Sequence, residues 1–102
     1  MNSYVVNLYP KPNDVNASQT ITVAATAVSF ADNFEYKTNA CFFTVQTAPV
    51  IVTFDGTAPT ASNGHVLNTG YNGWFSAAAL RAAKFVRSGG TSATITMSQF
   101  TT

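Results

Sequence analysis

The sequence predicts an all-β fold: a small antiparallel β-sandwich or jelly-roll-like domain of seven to eight short strands, with at most one short helical turn near 77–82. Three observations carry this. Short runs of β-branched or aromatic residues alternate with Thr and Ser. The runs recur at roughly ten-residue spacing and are separated by Asn, Gly, Pro and Asp, the rhythm of a sandwich or barrel. Only one segment has helix-forming composition, which leaves no crossover helices for a parallel sheet. With 102 residues the chain has material for one core and none for a second, so 1–102 is read as a single domain.

The first predicted strand covers 4–9, with Tyr4, Val6 and Leu8 on one parity, and the Pro10-Lys11-Pro12-Asn13-Asp14 run should end it as a turn. Residues 20–23 follow, Ile21 and Val23 alternating with threonines, then a weaker strand over 27–30 and a turn at Asp32-Asn33. Strands are expected over 40–46 and 50–54. Pro49 lies between them and marks a strand start or edge, because it has no amide proton for a ladder. Val50, Val52 and Phe54 share one parity and Thr53 and Asp55 the other, the pattern of a strand with one buried face. After Asp55 the chain must turn, since Gly56 supplies permissive dihedrals and the Asp side chain accepts from amides just downstream.

The polar loop that follows is longer than a hairpin needs and ends at the only histidine, His65. A short strand over 65–67 comes next, with turns at Asn68-Thr69-Gly70 and Tyr71-Asn72-Gly73 before Trp74 begins a new piece. The 76–83 run is the one helix former, with Ser76 as its N-cap. Residues 84–87, a turn over 88–91 and a strand over 93–100 read as a hairpin, with Ala93, Ile95 and Met97 facing a core.

Composition narrows the function classes. Only 9% of the residues are charged, so the surface must be built from Thr, Ser, Asn and Ala, while 46% hydrophobic content with eight Phe argues for a folded chain. A net charge of +1 from scattered basic residues leaves no footprint for nucleic acid; Arg81, Lys84 and Arg87 alone cluster, as a solvated or partner-facing trio. Little repulsion opposes association between copies, which favours a homo-oligomer or burial in a larger complex. Cys41 is the single cysteine, excluding an intrachain disulfide and reading as a buried thiol. No apolar run approaches the roughly 20 residues of a membrane helix and no signal segment opens the chain, so folding in the cytoplasm is expected.

Candidate chemistry is sparse. The acids are Asp14, Asp32, Glu35 and Asp55; Asp32 and Glu35 lie close but read as solvated turn residues beside Lys37. A Ser-His-Asp set could draw on Asp55 and His65, yet no serine stands in a nucleophile-elbow context. A metal site would lack a second His and paired thiols, a calcium loop would need more carboxylates, and Gly89-Gly90 lacks the Lys and helix of a phosphate cradle. The chain is therefore read as no enzyme, with no catalytic, cofactor or metal residues. Asp55, Thr60 and His65 are assigned to bracing the long loop, Asp55 accepting from loop amides and from the Thr57 or Thr60 hydroxyl. Glycan binding is the other functional class, since Tyr9, Tyr71 and Trp74 lie next to turns with Asn68 and Asn72 adjacent.

The run from Ala40 through Cys41-Phe42-Phe43-Thr44-Val45-Gln46-Thr47-Ala48-Pro49 to Val50, the Phe54-Asp55-Gly56 segment with Pro59-Thr60-Ala61-Ser62-Asn63-Gly64-His65, and Ala83-Lys84-Phe85-Val86-Arg87 followed by Ala93-Thr94-Ile95-Thr96 resemble a group of small virion proteins of tailed bacteriophages, often encoded among head genes. In that pattern an acid often stands at Gln46 and Ile at Val86; the resemblance covers about residues 40–100. It implies a structural protein of the particle, located in the virion after synthesis in the host cytoplasm. The first expectation is a capsid decoration or cement protein contacting the major capsid protein; a neck or tail component, or a glycan-binding module on the particle surface, is the alternative. On that reading Pro59, Ser62, Asn63, Tyr71, Asn72 and Trp74 are the candidate interface, and 10–14 would extend as an arm onto a neighbour.

Overall fold

The computed structural model describes residues 11–12, 18–30 and 38–101. The expected strand over 4–9 and the Asp32-Asn33 turn lie outside the described residues. Within them the chain is a small all-β sandwich of two antiparallel sheets with one short helix. Eight strands occur in the described residues: β1 (Lys11–Pro12), β2 (Ser18–Val23), β3 (Ala40–Gln46), β4 (Val50–Thr53), β5 (His65–Leu67), β6 (Asn72–Ser76), β7 (Lys84–Arg87) and β8 (Ala93–Thr101), with α1 (Ala77–Ala82) between β6 and β7.

The larger sheet runs β1-β8-β3-β6, and β2 joins β8 beside β1. Its spine is β3 against β8, with Phe43 opposite Met97 and Val45 opposite Ile95. The smaller sheet runs β5-β4-β7. Between them lies one core in which Val23, Phe43, Val45, Val50, Val52, Leu80, Phe85, Ile95 and Met97 are fully buried. Phe85 of β7 meets both Phe30, at 6.0 Å between ring centroids, and Phe43 of β3, at 6.2 Å, so its ring ties the two layers together. Ser76 caps α1 by accepting the Ala79 amide at 3.1 Å.

The expected hairpin over 84–100 does not form. β7 pairs with β4 on one side, while on the other Val28 exchanges backbone bonds with Phe85 and the Arg87 amide donates to the Ala24 carbonyl. β8 has β1 and β2 on one flank and β3 on the other. Both edges of each strand are occupied, so the 88–92 segment is a link from one sheet to the other. The same competition reduces the expected strand over 27–30 to a single bridge at Val28. Lys11 and Pro12 pair with Thr101 and Phe100 instead of forming the expected turn, at the sheet edge where a proline is tolerated.

β4 also departs from the one-faced pattern: Ile51 and Thr53 are buried along with Val50 and Val52. The long loop covers the outer face that the alternation assigned to solvent. At the β3–β4 corner Thr47 takes a left-handed φ of 80°, with the Ala48 amide donating to the Gln46 carbonyl at 3.0 Å. This three-residue γ-turn moves the chain from one sheet to the other in a single step.

Candidate functional site

The loop over 54–64 is built from two small turns. Gly56, at φ 85°, lets the chain reverse after Asp55. Asp55 Oδ1 accepts from the Thr57 amide at 3.1 Å and from the Thr57 hydroxyl at 2.6 Å. These bonds hold the exposed carboxyl below the ordinary Asp value, the hydroxyl contributing most and the amide next. Of the two threonines considered as its partner, Thr57 makes the contact, and the Thr53 hydroxyl donates to the Thr57 carbonyl to tack this turn onto β4. Thr60 closes the tip: it exchanges backbone bonds with Asn63 at 3.0 and 3.2 Å, and its hydroxyl accepts from the Ser62 amide at 3.3 Å.

Gly64 returns the chain against β4 at φ 141°, where a Cβ would stand 2.5 Å from Ile51 Cγ2 and 3.0 Å from the Val52 carbonyl oxygen. Pro59 is buried beneath this return, so it packs inside the loop and is corrected from an interface residue to an internal one. Ser62 and Asn63 are exposed at the tip.

An open pocket of about 430 Å³ lies where the β4 and β5 ends diverge, lined by Thr53, Phe54, Asp55, Asn63, Gly64 and His65. His65 sits on β5 opposite Val52, its ring 6.3 Å from that of Phe54. Phe54 is itself stacked on Phe75 of β6, 5.4 Å apart and 19° from parallel. The pocket is thus anchored on both sheets.

Beside it, β5 and β6 end their sheets and are joined by the 68–71 connection. Asn72 and Gly73, expected as a turn, pair with Thr44 and Phe43 as the start of β6. The exposed large hydrophobic side chains among the described residues are Val66, Tyr71 and Trp74, at 57%, 36% and 51% exposure; Val66, opposite Ile51, faces out from the smaller sheet, Tyr71 packs 5.7 Å from the Phe43 ring, and Trp74 faces out from the larger sheet. Val45 donates to the Tyr71 carbonyl and Ala77 to that of Asn39, so ladder alternation turns the Trp74 backbone groups toward the free edge of β6.

The Trp74 side chain lies on the outer face of the larger sheet, 5.2 Å from the Phe42 ring and 4.9 Å from Phe100. Ser18, Thr20, Thr22, Thr94, Thr96 and Ser98 continue that face, with Ser18–Ser98 and Thr20–Thr96 hydroxyls bonded at 2.9 and 3.0 Å. Sequence reasoning missed Phe42 and Phe100 as members of this surface. The parity of β8 carries the signal for Phe100: if Ile95 and Met97 face inward, Phe100 faces out with Thr96 and Ser98.

Cys41 is fully buried, and burial pushes its thiol up to about 11, Arg81 acting weakly the other way. Among the described residues no three His, Cys, Asp or Glu side chains gather to hold a metal ion, and no helix is long and apolar enough to cross a membrane. No family model, no curated protein and no solved structure matches the chain.

Proposed function

We propose that this chain is a structural protein of a bacteriophage particle, a decoration protein that stabilises the capsid by docking on its major capsid protein. The observation that carries the proposal is Trp74, half exposed on the outer face of the larger sheet and packed beside the Phe42 and Phe100 rings. An exposed aromatic set among other rings on one sheet face, rather than scattered singly, marks an interaction surface. The resemblance over about residues 40–100 supplies the setting, and the runs that carry it lie in β3, the long loop, β7 and the first half of β8. A surface poor in charge fits dense contacts between proteins, where charged side chains are costly to desolvate. Individually weak contacts suffice on a capsid lattice only if each copy, or each oligomer, engages several sites at once.

Co-sedimentation of the full chain with capsid shells of its phage, alongside its mass in solution by light scattering, tests this. Saturable binding at a fixed number per shell is expected, weakened roughly thirtyfold or more by Trp74→Ala with the fold intact, as for an aromatic at the centre of an interface. No binding to shells, with a ring-like oligomer in solution, transfers the chain to the neck or tail. The exposure of Trp74 with Asn72 in the same strand favours glycan binding as the second reading. Sugar-dependent change in the fluorescence of this single tryptophan, without shell binding, selects it.

A further inference from the structure

We infer that the pocket between the β4 and β5 ends is a recognition site for the guanidinium group of an arginine on a docking protein. The inference deepens the docking reading and rests on it for the identity of the partner, while the site itself is argued from its own residues. Asp55 is the one carboxylate among the described residues, and it lines this pocket, fully exposed to solvent. Thr57 places both of the hydrogen bonds it donates on Oδ1. They orient the carboxylate without consuming its second oxygen for that purpose, and an ionised carboxylate has about four lone-pair positions in all. The low-lying carboxyl is charged at neutral pH.

The walls select the shape of the cation. The Phe54 and His65 rings, 6.3 Å apart and tilted by 40°, offer flat surfaces at the carboxylate, and the Phe75 stack fixes the Phe54 ring from behind. A guanidinium is planar, stacks on rings and bonds a carboxylate through a fork of two N–H groups; an ammonium is attracted to a ring face as a compact point charge but has neither the flat face to stack nor the fork. The Asn63 side chain adds an amide oxygen able to accept a further N–H. An anionic group is disfavoured, because the Asp55 carboxylate in the lining repels it. A calcium ion would want more carboxylate oxygens than one Asp provides. The volume of about 430 Å³ accommodates a side-chain headgroup with its water.

The test titrates the full chain with N-acetyl-arginine amide and, separately, with the citrulline and lysine analogues, following backbone amide resonances at low ionic strength. Asp55→Asn keeps an oxygen for Thr57 and removes the charge, so it is the matching variant. Saturable shifts confined to 53–55 and 63–65 are expected with the arginine amide. Affinity should fall roughly fivefold or more for citrulline, for lysine and for Asp55→Asn, the scale of an exposed but well-oriented ion pair. No saturable shift, shifts centred elsewhere, or equal affinity for any of the three comparisons overturns the inference. Shell co-sedimentation of the same samples separates the two readings. Wild-type binding to shells without an arginine response removes the pocket and keeps the docking; an arginine response without shell binding does the reverse.

Discussion

Asp55 shows how one side chain's chemistry is set by a neighbour two residues away. Its carboxyl is held low chiefly by the Thr57 hydroxyl and then by the Thr57 amide, both of which bond the charged form. A carboxyl depressed in the folded state contributes stability that is present above its unfolded value and is lost as pH falls through its folded value. A carboxyl-carbon NMR titration is therefore expected to place Asp55 below the ordinary Asp value, and Thr57→Val should move it upward by removing the larger cause while keeping the amide. An unchanged midpoint in Thr57→Val would show that the hydroxyl is not what holds it. At this scale the sequence is legible for the acceptor and not for the donor: an Asp before Gly in a turn accepts from the chain just ahead. Thr57 and Thr60 are both within reach on the sequence, and only the path taken through Gly56 selects Thr57. The burial of Pro59 is illegible in the sequence for the same reason, since its place beneath Gly64 depends on where the loop folds back.

Two backbone positions decide how the elements fit, and they place opposite demands on side chains. Gly64 lies at φ 141° with β4 directly beneath, so an added methyl meets Ile51 Cγ2 and the Val52 carbonyl. Gly64→Ala is expected to destabilise the fold by about 1–3 kcal/mol in urea unfolding, through left-handed backbone strain and the clash together. Thr47 occupies a left-handed φ of 80° without being glycine. Thr47→Gly should therefore stay within about 1 kcal/mol of wild type, because relief of the backbone conformation offsets the greater freedom of glycine in the unfolded chain. Equal destabilisation at both positions would mean that the loop does not press on β4. The alternation within β3, β8 and β2 was legible because each has one face on the core and one outside. In β4 it misled, because alternation reports the core face and is silent about a loop laid across the other. The hairpin over 84–100 misled for a related reason: a glycine-bearing link between two strands permits pairing, while the partners available on all four edges decide it.

At the scale of the whole molecule, sheet composition says little about which sheet a strand enters, and the core is what unites them. The all-β class, the short helix over 77–82 and the inward residues of β8 could be read from the chain, since each is a local pattern. The division of strands between two sheets could not, because it depends on pairings between distant segments, such as Ile51 with Val86 and Thr20 with Thr96. Phe85 is where this division is bridged: it belongs to the smaller sheet, is fully buried, and touches Phe30 and Phe43 across the core. Phe85→Ala should therefore cost about 3–5 kcal/mol, the range for an aromatic truncated in a packed interior. If the two sheets unfold as one cooperative unit, amide exchange protection will fall by the same free energy at Phe43 and Ile95 of the larger sheet as at Ile51 of the smaller one. Loss confined to β4, β5 and β7 would mean instead that the larger sheet holds together alone. A partner gripping Trp74 would then add its binding free energy to the larger sheet alone. Under the cooperative outcome the same partner stabilises the whole chain, raising the thermal midpoint of both sheets together as its concentration exceeds the dissociation constant.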